Sequence, residues 1–379
     1  MKICTFCIMD ETDPNIIFDK NLQCHHCKSY MKYVPTLPAL QPNASQILND
    51  KITQIKNKKS GKYDCVIGLS GGVDSTYLAY VVKKKLGLNP IAVHMDNGWN
   101  SELSVKNVEN IVTKLDIDLH TKILDWNEFS NLQLAFLKAS TPDSEIPTDH
   151  AICATLYEVA KQYNVKYVIS GANQITERIM PHTWSQGHGD YHYIRSIYKK
   201  YTEKKLQKFP YMDSFKNFFY KKIHGIQFIP LFDYFKFDLD TAKQTIQNEL
   251  EWKDYGGKHY ESVYTKFFQG YILPEKFNYD KRKGHLSNLI CAGVLSRSQA
   301  LKKLKEPAIL AEEIKPLKDY VAKKFGLSLG DFEEILNLPP MSYSDYPNTY
   351  NTVWYRYSRK YIKPIYRYFN PVRKTYAKT

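Results

Sequence analysis

The sequence predicts an α/β protein: a parallel sheet covered by helices, with a small cysteine module before it and a mostly helical region after it. Over residues 62–171, short apolar runs alternate with segments of helical periodicity, which is typical of a parallel sheet with both faces covered. The first apolar run ends in a glycine-rich turn, and two Cys-x-x-Cys pairs precede it near the N-terminus. These three observations define the expected architecture.

The individual elements follow from local patterns. Apolar runs predict strands at residues 63–69, 90–95, 119–124 and 166–170. Helical spacing predicts helices at residues 46–55, 73–86, 101–115, 126–138 and 149–163, and Ser101 is the expected N-cap of the third of these. Residues 178–235 are rich in Tyr, Phe, His and Lys without clean periodicity. Helices are then predicted at residues 239–251, 262–271, 280–291, 296–304, 310–325 and 329–336.

We expect five parts along the chain. They are a cysteine module (1–33), a connector rich in Pro, Asn and Lys (34–60), a sheet-containing domain (61–177), a mostly helical substrate-binding region (178–345) and a basic, aromatic tail (346–379).

Composition and charge narrow the possible partners. The chain has 379 residues and a formal net charge of +14, which favours anionic partners such as a nucleotide-linked substrate, a nucleic acid or an acidic membrane surface. No apolar run approaches the length of about 18 residues that a membrane span needs, and the N-terminus lacks a signal-peptide pattern. A cytoplasmic location is therefore expected.

The cysteine pairs predict a structural metal site. Cys4 and Cys7 form one pair and Cys24 and Cys27 the other, a spacing that suits a closed tetrathiolate zinc site. Four unrelated cysteines or an iron–sulfur cluster are the alternatives, and His25 and His26 could compete as ligands. The isolated Cys65, Cys153 and Cys291 are expected to be packing residues.

The glycine-rich turn reads Ser70-Gly71-Gly72-Val73-Asp74-Ser75 and lies between a predicted strand and a predicted helix. The glycines allow the backbone to approach phosphate closely, and the N–H groups at the start of the helix point toward the anion. Ser70 and Ser75 can donate hydroxyl hydrogen bonds to phosphate oxygens. No lysine follows the glycines, so this is not a Walker loop. Asp74 is better suited to contact Mg²⁺ than to contact phosphate directly.

This loop resembles the SGGxDS loop of the PP-loop ATP pyrophosphatases, which share the adenine nucleotide alpha hydrolase-like fold. The resemblance implies that ATP is bound and split between its α and β phosphates. Residues 91–95, including His94, together with Asp96, resemble the superfamily strand that abuts the adenosine. Gly171 and Asn173, followed by Glu177, are similar to a segment of ammonia-dependent NAD synthetases, although the spacing differs by one residue on each side of the asparagine.

A second dense segment begins at residue 252 and reads WKDYGGKHYES, followed by FQGY and then DKRKGHLS. Lys281, Arg282 and Lys283 open a predicted helix, where cations are normally unfavourable. That cost suggests an anionic ligand, with a solvated basic turn as the alternative.

Together with the cysteine pairs and the loop, this segment makes residues 1–345 resemble the N-acetyl sugar amidotransferases of bacterial surface-polysaccharide and flagellin-sugar pathways. The resemblance implies conversion of a sugar acetamido group to an acetamidino group, with release of AMP and pyrophosphate. It also implies a nucleotide-linked sugar substrate in lipopolysaccharide O-antigen biosynthesis, and ammonia from a glutaminase similar to the glutaminase and cyclase pair of imidazole glycerol phosphate synthase.

Four residues are candidates for the chemistry that this resemblance implies. Lys281 and Arg282 could stabilise charge in the transition state, and His259 or His285 could accept a proton from ammonia.

A tRNA-modifying PP-loop enzyme, either a thiolase or a lysidine-forming type, is the alternative function, although nucleic acid is not the expected partner. The tail after residue 351 interleaves aromatic and basic residues and could dock on a membrane or a partner protein.

Overall fold

A computed structural model describes residues 1–257, 260–357 and 359. Its centre is a five-stranded parallel sheet with strand order β3-β2-β1-β4-β5. The strands are β1 (Cys65–Gly68), β2 (Pro90–Asp96), β3 (Asp118–Ile123), β4 (Tyr167–Ser170) and β5 (Gln227–Pro230). Strand β1 is central, and Ile67 pairs with Ala92 on β2 and with Ile169 on β4. The carboxyl ends of β1, β2 and β4 therefore meet at one edge of the sheet.

The helices lie before, between and after the strands. In chain order they are α1 (His25–Tyr33), α2 (Ala44–Asn57), α3 (Val73–Tyr80), α4 (Glu102–Leu115), α5 (Trp126–Ala139), α6 (Ile146–Gln162), α7 (Gln174–Glu177), α8 (Tyr191–Thr202), α9 (Ser214–Phe218), α10 (Leu239–Leu250), α11 (Val263–Phe267), α12 (Leu273–Phe277), α13 (Lys281–Cys291), α14 (Arg297–Lys305), α15 (Ala311–Lys324), α16 (Leu329–Leu336) and α17 (Val353–Tyr357).

The sheet is covered on both faces, as its sequence pattern predicts. Cys65 and Ile67 face one side and belong to a buried cluster with helices α3 and α10. Val66 lies between them in sequence, faces the other side and packs with Leu156 of α6. Because successive side chains of a strand point to opposite faces, a continuous apolar run is what a doubly covered strand requires.

The four predicted strands and the helices of the sheet region are confirmed, with shifts of a few residues at their ends. Ser101 is the N-cap of α4, and its hydroxyl accepts a hydrogen bond from the Ser104 amide at 3.1 Å. Two predicted helices continue through π-helical turns, at Val81–Lys85 and at Phe268–Ile272.

The sequence prediction misses strand β5 and helices α8 and α9, which lie where no clean periodicity is visible. Strand β5 is short and lies at the sheet edge, and two of its residues are exposed, so the sequence lacks the apolar run that marks the other strands. Helix α8 buries aromatic and aliphatic residues together, among them Tyr193, Ile194 and Ile197, against helix α5 and the C-terminal region.

Within the described residues, no helix combines the length and the apolar character that crossing a membrane requires. Most of the predicted basic tail, from residue 358 apart from Arg359, lies outside the described residues.

Candidate nucleotide-binding and catalytic site

The glycine-rich loop joins the end of β1 to the start of α3 and makes close backbone contacts. Gly71 has φ of +83°, and a Cβ atom at this position would lie 2.6 Å from the Ser104 carbonyl oxygen. At the end of β4, a Cβ atom on Gly171 would lie 3.0 Å from the Asp74 carbonyl oxygen. Glycine is therefore favoured at position 71 by both the backbone conformation and the packing, and at position 171 by the packing alone.

The two serines of the loop hold its shape by hydrogen bonds. The Ser70 amide donates to the Ser75 hydroxyl at 3.2 Å, and the two hydroxyl oxygens are 3.1 Å apart. The Gly72 amide donates to the Ser70 hydroxyl at 3.2 Å. These hydroxyl and amide groups surround one point at the N-terminus of α3, which is the arrangement that binds phosphate oxygens.

Residues from the distant 252–261 segment lie directly on the loop. The Trp252 indole N–H donates to the Gly71 carbonyl at 2.8 Å, and the Tyr255 hydroxyl accepts from the Val73 amide at 3.3 Å. The Ser70 hydroxyl donates to a Glu261 carboxylate oxygen at 3.4 Å. The two dense segments of the sequence thus form one site.

Two cavities open on either side of the loop. Cavity A, about 450 Å³, is lined by Asp74, Glu177, Tyr255 and His285, among others. Cavity B, about 490 Å³, lies over the strand ends and is lined by apolar residues such as Leu69 and Met95 and by a polar group at one end. Ser70, Ser75, Gly171 and Glu261 line both cavities. An apolar floor beside a phosphate loop fits a flat base next to its phosphates.

Several predicted site residues lie in these cavities. His94 lines cavity B and hydrogen-bonds the Leu69 carbonyl through Nδ1 at 2.9 Å. Lys281 lines cavity B, and His285 lines cavity A. His259 lies outside the described residues.

Among the described residues, four of the predicted nucleotide-binding and catalytic residues do not line either cavity: Gly71, Asp96, Asn173 and Arg282. The Asp96 carboxylate accepts from the Gly98 amide at 2.8 Å, and the Asn173 side chain caps α7 by accepting from the Ile175 amide at 2.9 Å. Arg282 is turned away, because its guanidinium pairs with Asp280 at 2.7 Å and donates to the Glu306 carbonyl. The structure therefore places Arg282 outside both cavities, and a role for it in charge stabilisation stays a prediction.

The cations at the start of α13 also find protein partners. Asp280 is the N-cap of α13, and Lys283 pairs with the buried Asp10 at 2.6 Å. A cation is electrostatically unfavourable near a helix N-terminus. The Asp280 carboxylate offsets this cost for Arg282, and the Asp10 carboxylate offsets it for Lys283. Of the three cations, Lys281 lines cavity B.

A polar cluster at the end of cavity B is the part of the site that sequence reasoning missed. Asp143 and Glu145 are both buried, and Asp143 lies 3.9 Å from the Lys281 ammonium and 3.5 Å from the His188 ring. His188 is also 3.1 Å from Asp149. The sequence signal is weak, because these two acidic residues lie in a short polar stretch before α6, residues 140–145, that reads as an ordinary loop.

The environment perturbs the titration of this cluster. Burial opposes the ionised form of Asp143, but Lys281 and His188 outweigh it and hold the pKa of Asp143 well below its usual range. Burial lowers the pKa of His188, but hydrogen bonds to Asp143 and Asp149 prevail and raise it to about 10. Burial raises the pKa of Glu145. Asp143 is therefore a carboxylate and His188 an imidazolium at neutral pH.

The four N-terminal cysteines converge with buried sulfur atoms. The Sγ–Sγ distances are 3.8 Å for Cys4–Cys27, 3.7 Å for Cys7–Cys24 and 3.5 Å for Cys24–Cys27. A single tetrahedral ion with metal–sulfur bonds of about 2.3 Å spaces its ligands about 3.8 Å apart. The four thiols therefore fit one zinc ion better than a cluster of several metal atoms.

The two histidines that could compete as metal ligands have other partners in the structure. His26 pairs with Asp13 at 2.7 Å, and the His25 Nδ1 atom accepts from the Ile17 amide at 3.1 Å. Cys291 packs against the cluster, with its sulfur 3.8 Å from that of Cys27. Cys65 is fully buried in β1.

The sheet and its loop define an α/β protein of the PP-loop class, and comparisons with known proteins agree. The NAD synthase family profile matches residues 45–210, and the profile described as "LPS biosynthesis protein WbpG-like, C-terminal domain" matches residues 261–361. The chain thus contains an NAD synthase-like region and, after it, a region similar to the WbpG-like C-terminal domain. These matches support an ATP-using enzyme of the ligase type.

Individual proteins are similar to all or part of this chain. An uncharacterized protein from Methanocaldococcus jannaschii is 24% identical and covers 82% of this chain and 95% of its own. A glutamine-hydrolyzing GMP synthase from Coxiella burnetii is 29% identical over 33% of this chain and 23% of its own. The NH3-dependent NAD synthetase structure from Campylobacter jejuni is 16% identical, covers 76% of this chain and 96% of its own, and has a TM-score of 0.35.

Proposed function

We propose that the protein is an ATP-dependent, AMP-forming amidotransferase that converts the acetamido group of a nucleotide-linked sugar into an acetamidino group. One observation carries this proposal: the WbpG-like domain contributes side chains to both cavities beside the PP-loop. Glu261 lines both cavities, Thr265 and Lys281 line cavity B, and His285 lines cavity A. The description of that domain supports a role in lipopolysaccharide biosynthesis, in the cytoplasm where nucleotide sugars are made.

The proposed reaction solves a chemical problem of amides. An amide carbon is a poor electrophile, and its oxygen is a poor leaving group. Attack of the amide oxygen on the α-phosphorus of ATP forms an O-adenylyl imidate and releases pyrophosphate. Ammonia then forms a bond to the imidate carbon, and the C–O bond to AMP breaks to give the amidine. The protein contributes positioning and charge stabilisation.

The described residues have distinct roles in this scheme. The loop from Ser70 to Ser75 binds the phosphates that leave as pyrophosphate, and Lys281 in cavity B stabilises negative charge during transfer. Asp74 and Glu177 both line cavity A, and their carboxylates suit Mg²⁺. When bound, that ion neutralises phosphate charge. The apolar strand ends under cavity B hold the adenine.

We further propose that ammonia comes from a separate glutaminase, similar to the glutaminase and cyclase pair of imidazole glycerol phosphate synthase. The basic tail after residue 351 is a candidate docking segment for that partner or for a membrane surface. Deleting residues 358–379 tests this idea. A docking role predicts loss of the glutamine-dependent rate in the presence of the partner, with the ammonium-dependent rate unchanged.

The function is tested by product analysis with ATP, ammonium and a panel of nucleotide-linked N-acetyl sugars. We expect AMP, pyrophosphate and a sugar about 1 Da lighter, because NH replaces O in the amidine. Asp74→Asn should abolish turnover and leave the zinc content of the protein unchanged. Formation of ADP and phosphate, or of AMP without a change in sugar mass, would contradict the proposal.

A tRNA-modifying function has less support. Thiolation needs a reactive cysteine near the nucleotide, and among the described residues no cysteine lines cavity A or cavity B. Co-purification of tRNA whose affinity falls steeply with salt would favour that function instead.

A further inference from the structure

Three carboxylates line the polar end of cavity B, those of Asp143, Glu145 and Asp149. Asp143 and Asp149 have cations as direct partners, and Glu145 has neutral ones. Asp143 has two cations nearby, Lys281 at 3.9 Å and His188 at 3.5 Å, and accepts a hydrogen bond from the Ser185 hydroxyl. Asp149 shares the His188 cation at 3.1 Å. The contacts of Asp143 lower its pKa and keep it in the charged form.

Glu145 has different partners. One carboxylate oxygen accepts from the Thr265 hydroxyl, and the other accepts from the Gln269 amide at 3.0 Å. Both donors are neutral, and in the described part of the chain Glu145 forms no ion pair of its own. The nearest ionisable groups are Asp143, Lys281 and Tyr264, and Lys281 lies against Asp143.

This arrangement makes the Glu145 carboxylate a stronger base than the Asp143 carboxylate, because the pKa of Glu145 is raised and that of Asp143 is lowered. Burial favours a bound proton on a carboxylate whose direct partners are neutral. Burial, together with the nearby Asp143 charge, raises the pKa of Glu145 and outweighs the opposing effect of Lys281. Two fixed donors leave the remaining lone pairs of the carboxylate for a small hydrogen-bond donor in the cavity. Glu145 lines the same cavity as Ser70 and Ser75 of the phosphate loop.

We propose that Glu145 receives ammonia in cavity B and accepts a proton from it during the second step of the reaction. Thr265 and Gln269 are positioning residues that orient the carboxylate. Ammonia forms the C–N bond to the imidate carbon, one of its protons passes to Glu145, and the C–O bond to AMP breaks. The product is the protonated amidine, and Glu145 returns its proton to solvent.

This inference rests on the proposed function, but it moves the proton acceptor away from the two histidines expected from the sequence. His285 lines cavity A rather than cavity B, and His259 lies outside the described residues. Glu145 lines cavity B, whereas Asp74 and Glu177, the proposed Mg²⁺ ligands, line cavity A.

The test separates the two half-reactions in Glu145→Gln, an isosteric change that removes the base. We expect kcat/KM for ammonia to fall by on the order of 100-fold, which is typical for loss of a general base. Exchange of labelled pyrophosphate into ATP, measured with the acceptor sugar and without ammonia, should stay at the wild-type rate. The pH profile of kcat/KM is calculated for free ammonia, so that protonation of ammonia itself does not contribute, and its acidic limb should disappear in the variant.

The matched control is Glu158→Gln on the same helix, α6. Glu158 lies outside both cavities and pairs with Lys216 at 3.8 Å, so both half-reactions should be unchanged. If Glu145→Gln lowers pyrophosphate exchange and amidation equally, Glu145 binds ATP or the sugar and the inference is wrong. If the variant keeps wild-type kcat/KM for ammonia, it is also wrong. If the wild-type protein forms no AMP with ammonia and any sugar of the panel, the proposed function itself fails.

Discussion

The glycines of the loop show how single residues decide whether a phosphate site can form. Gly71 combines a positive φ with a Ser104 carbonyl oxygen 2.6 Å from the position of an added Cβ atom. A Cβ atom on Gly72 would meet three oxygen atoms at 3.1 Å, from Ser70, Tyr255 and Glu261. The loop thus has room for a ligand only because these two residues lack side chains.

The first prediction concerns Gly71→Ala. The added methyl group meets backbone that cannot rotate away, and the conformation itself is unfavourable for alanine. We expect a loss of about 1–3 kcal/mol in the free energy of unfolding and weaker ATP binding. Chemical denaturation and calorimetry with ATP measure the two effects.

The control for this variant is Gly189→Ala, because no atom lies within 4 Å of a Cβ atom at that position. Equal stability of the two variants would show that the tight contact at Gly71 is relaxed in solution.

Helix α13 connects the cysteine module to the catalytic cavities. On one side, its Ser287 hydroxyl accepts from the Ile8 amide at 3.3 Å, and Lys283 pairs with Asp10. On the other side, Lys281 lines cavity B and His285 lines cavity A. The cysteine module therefore packs against the helix that presents these two side chains.

The second prediction is that Cys24→Ser weakens zinc binding and reduces amidation without unfolding the sheet domain. Loss of a thiolate ligand opens the tetrahedral site, and the module then no longer supports α13. Zinc content, limited proteolysis near the N-terminus and the amidation rate measure these effects.

Cys153→Ser is the matched control, because Cys153 lies in α6, away from the four-cysteine cluster. This variant should keep the full zinc content of the protein. Normal activity of a zinc-free Cys24→Ser protein would disprove the link through α13.

At the scale of the whole molecule, an ion-pair network joins separate parts of the chain. His188, in the loop before α8, contacts Asp143 before α6 and Asp149 within α6. Asp190, two residues further, accepts from the Tyr343 hydroxyl at 2.5 Å and the Thr349 amide at 2.7 Å. The C-terminal region is thus attached to the sheet domain through buried carboxylates.

The third prediction is a pH dependence of stability that arises from His188. Its pKa is raised from 6.5 to about 10, so its stabilising contribution is complete below pH 6.5 and is lost as the pH rises through about 10. The difference in melting temperature between wild type and His188→Gln should therefore shrink between pH 6.5 and 10. A difference that stays constant over this range would show that the imidazolium form is not what stabilises the fold.

The sequence by itself determined the features that depend on local patterns. The strands β1 to β4, the loop between β1 and α3, the N-cap at Ser101 and the pairing of the four cysteines all follow from spacing within a few residues. These patterns carry their own physical cause, because burial on both faces, helix capping and metal knuckles are satisfied by near neighbours in sequence.

Only the tertiary structure decided which distant side chains meet. It brought Glu261 to Ser70 across 191 residues, turned Arg282 toward Asp280 and away from the cavities, and gathered Asp143, Glu145 and Lys281 at one end of cavity B. It also added the edge strand β5, a four-residue strand that begins with the polar Gln227 and ends at Pro230. Such contacts depend on chain packing over long separations, and local periodicity contains no information about which of several charged residues will face a shared cavity.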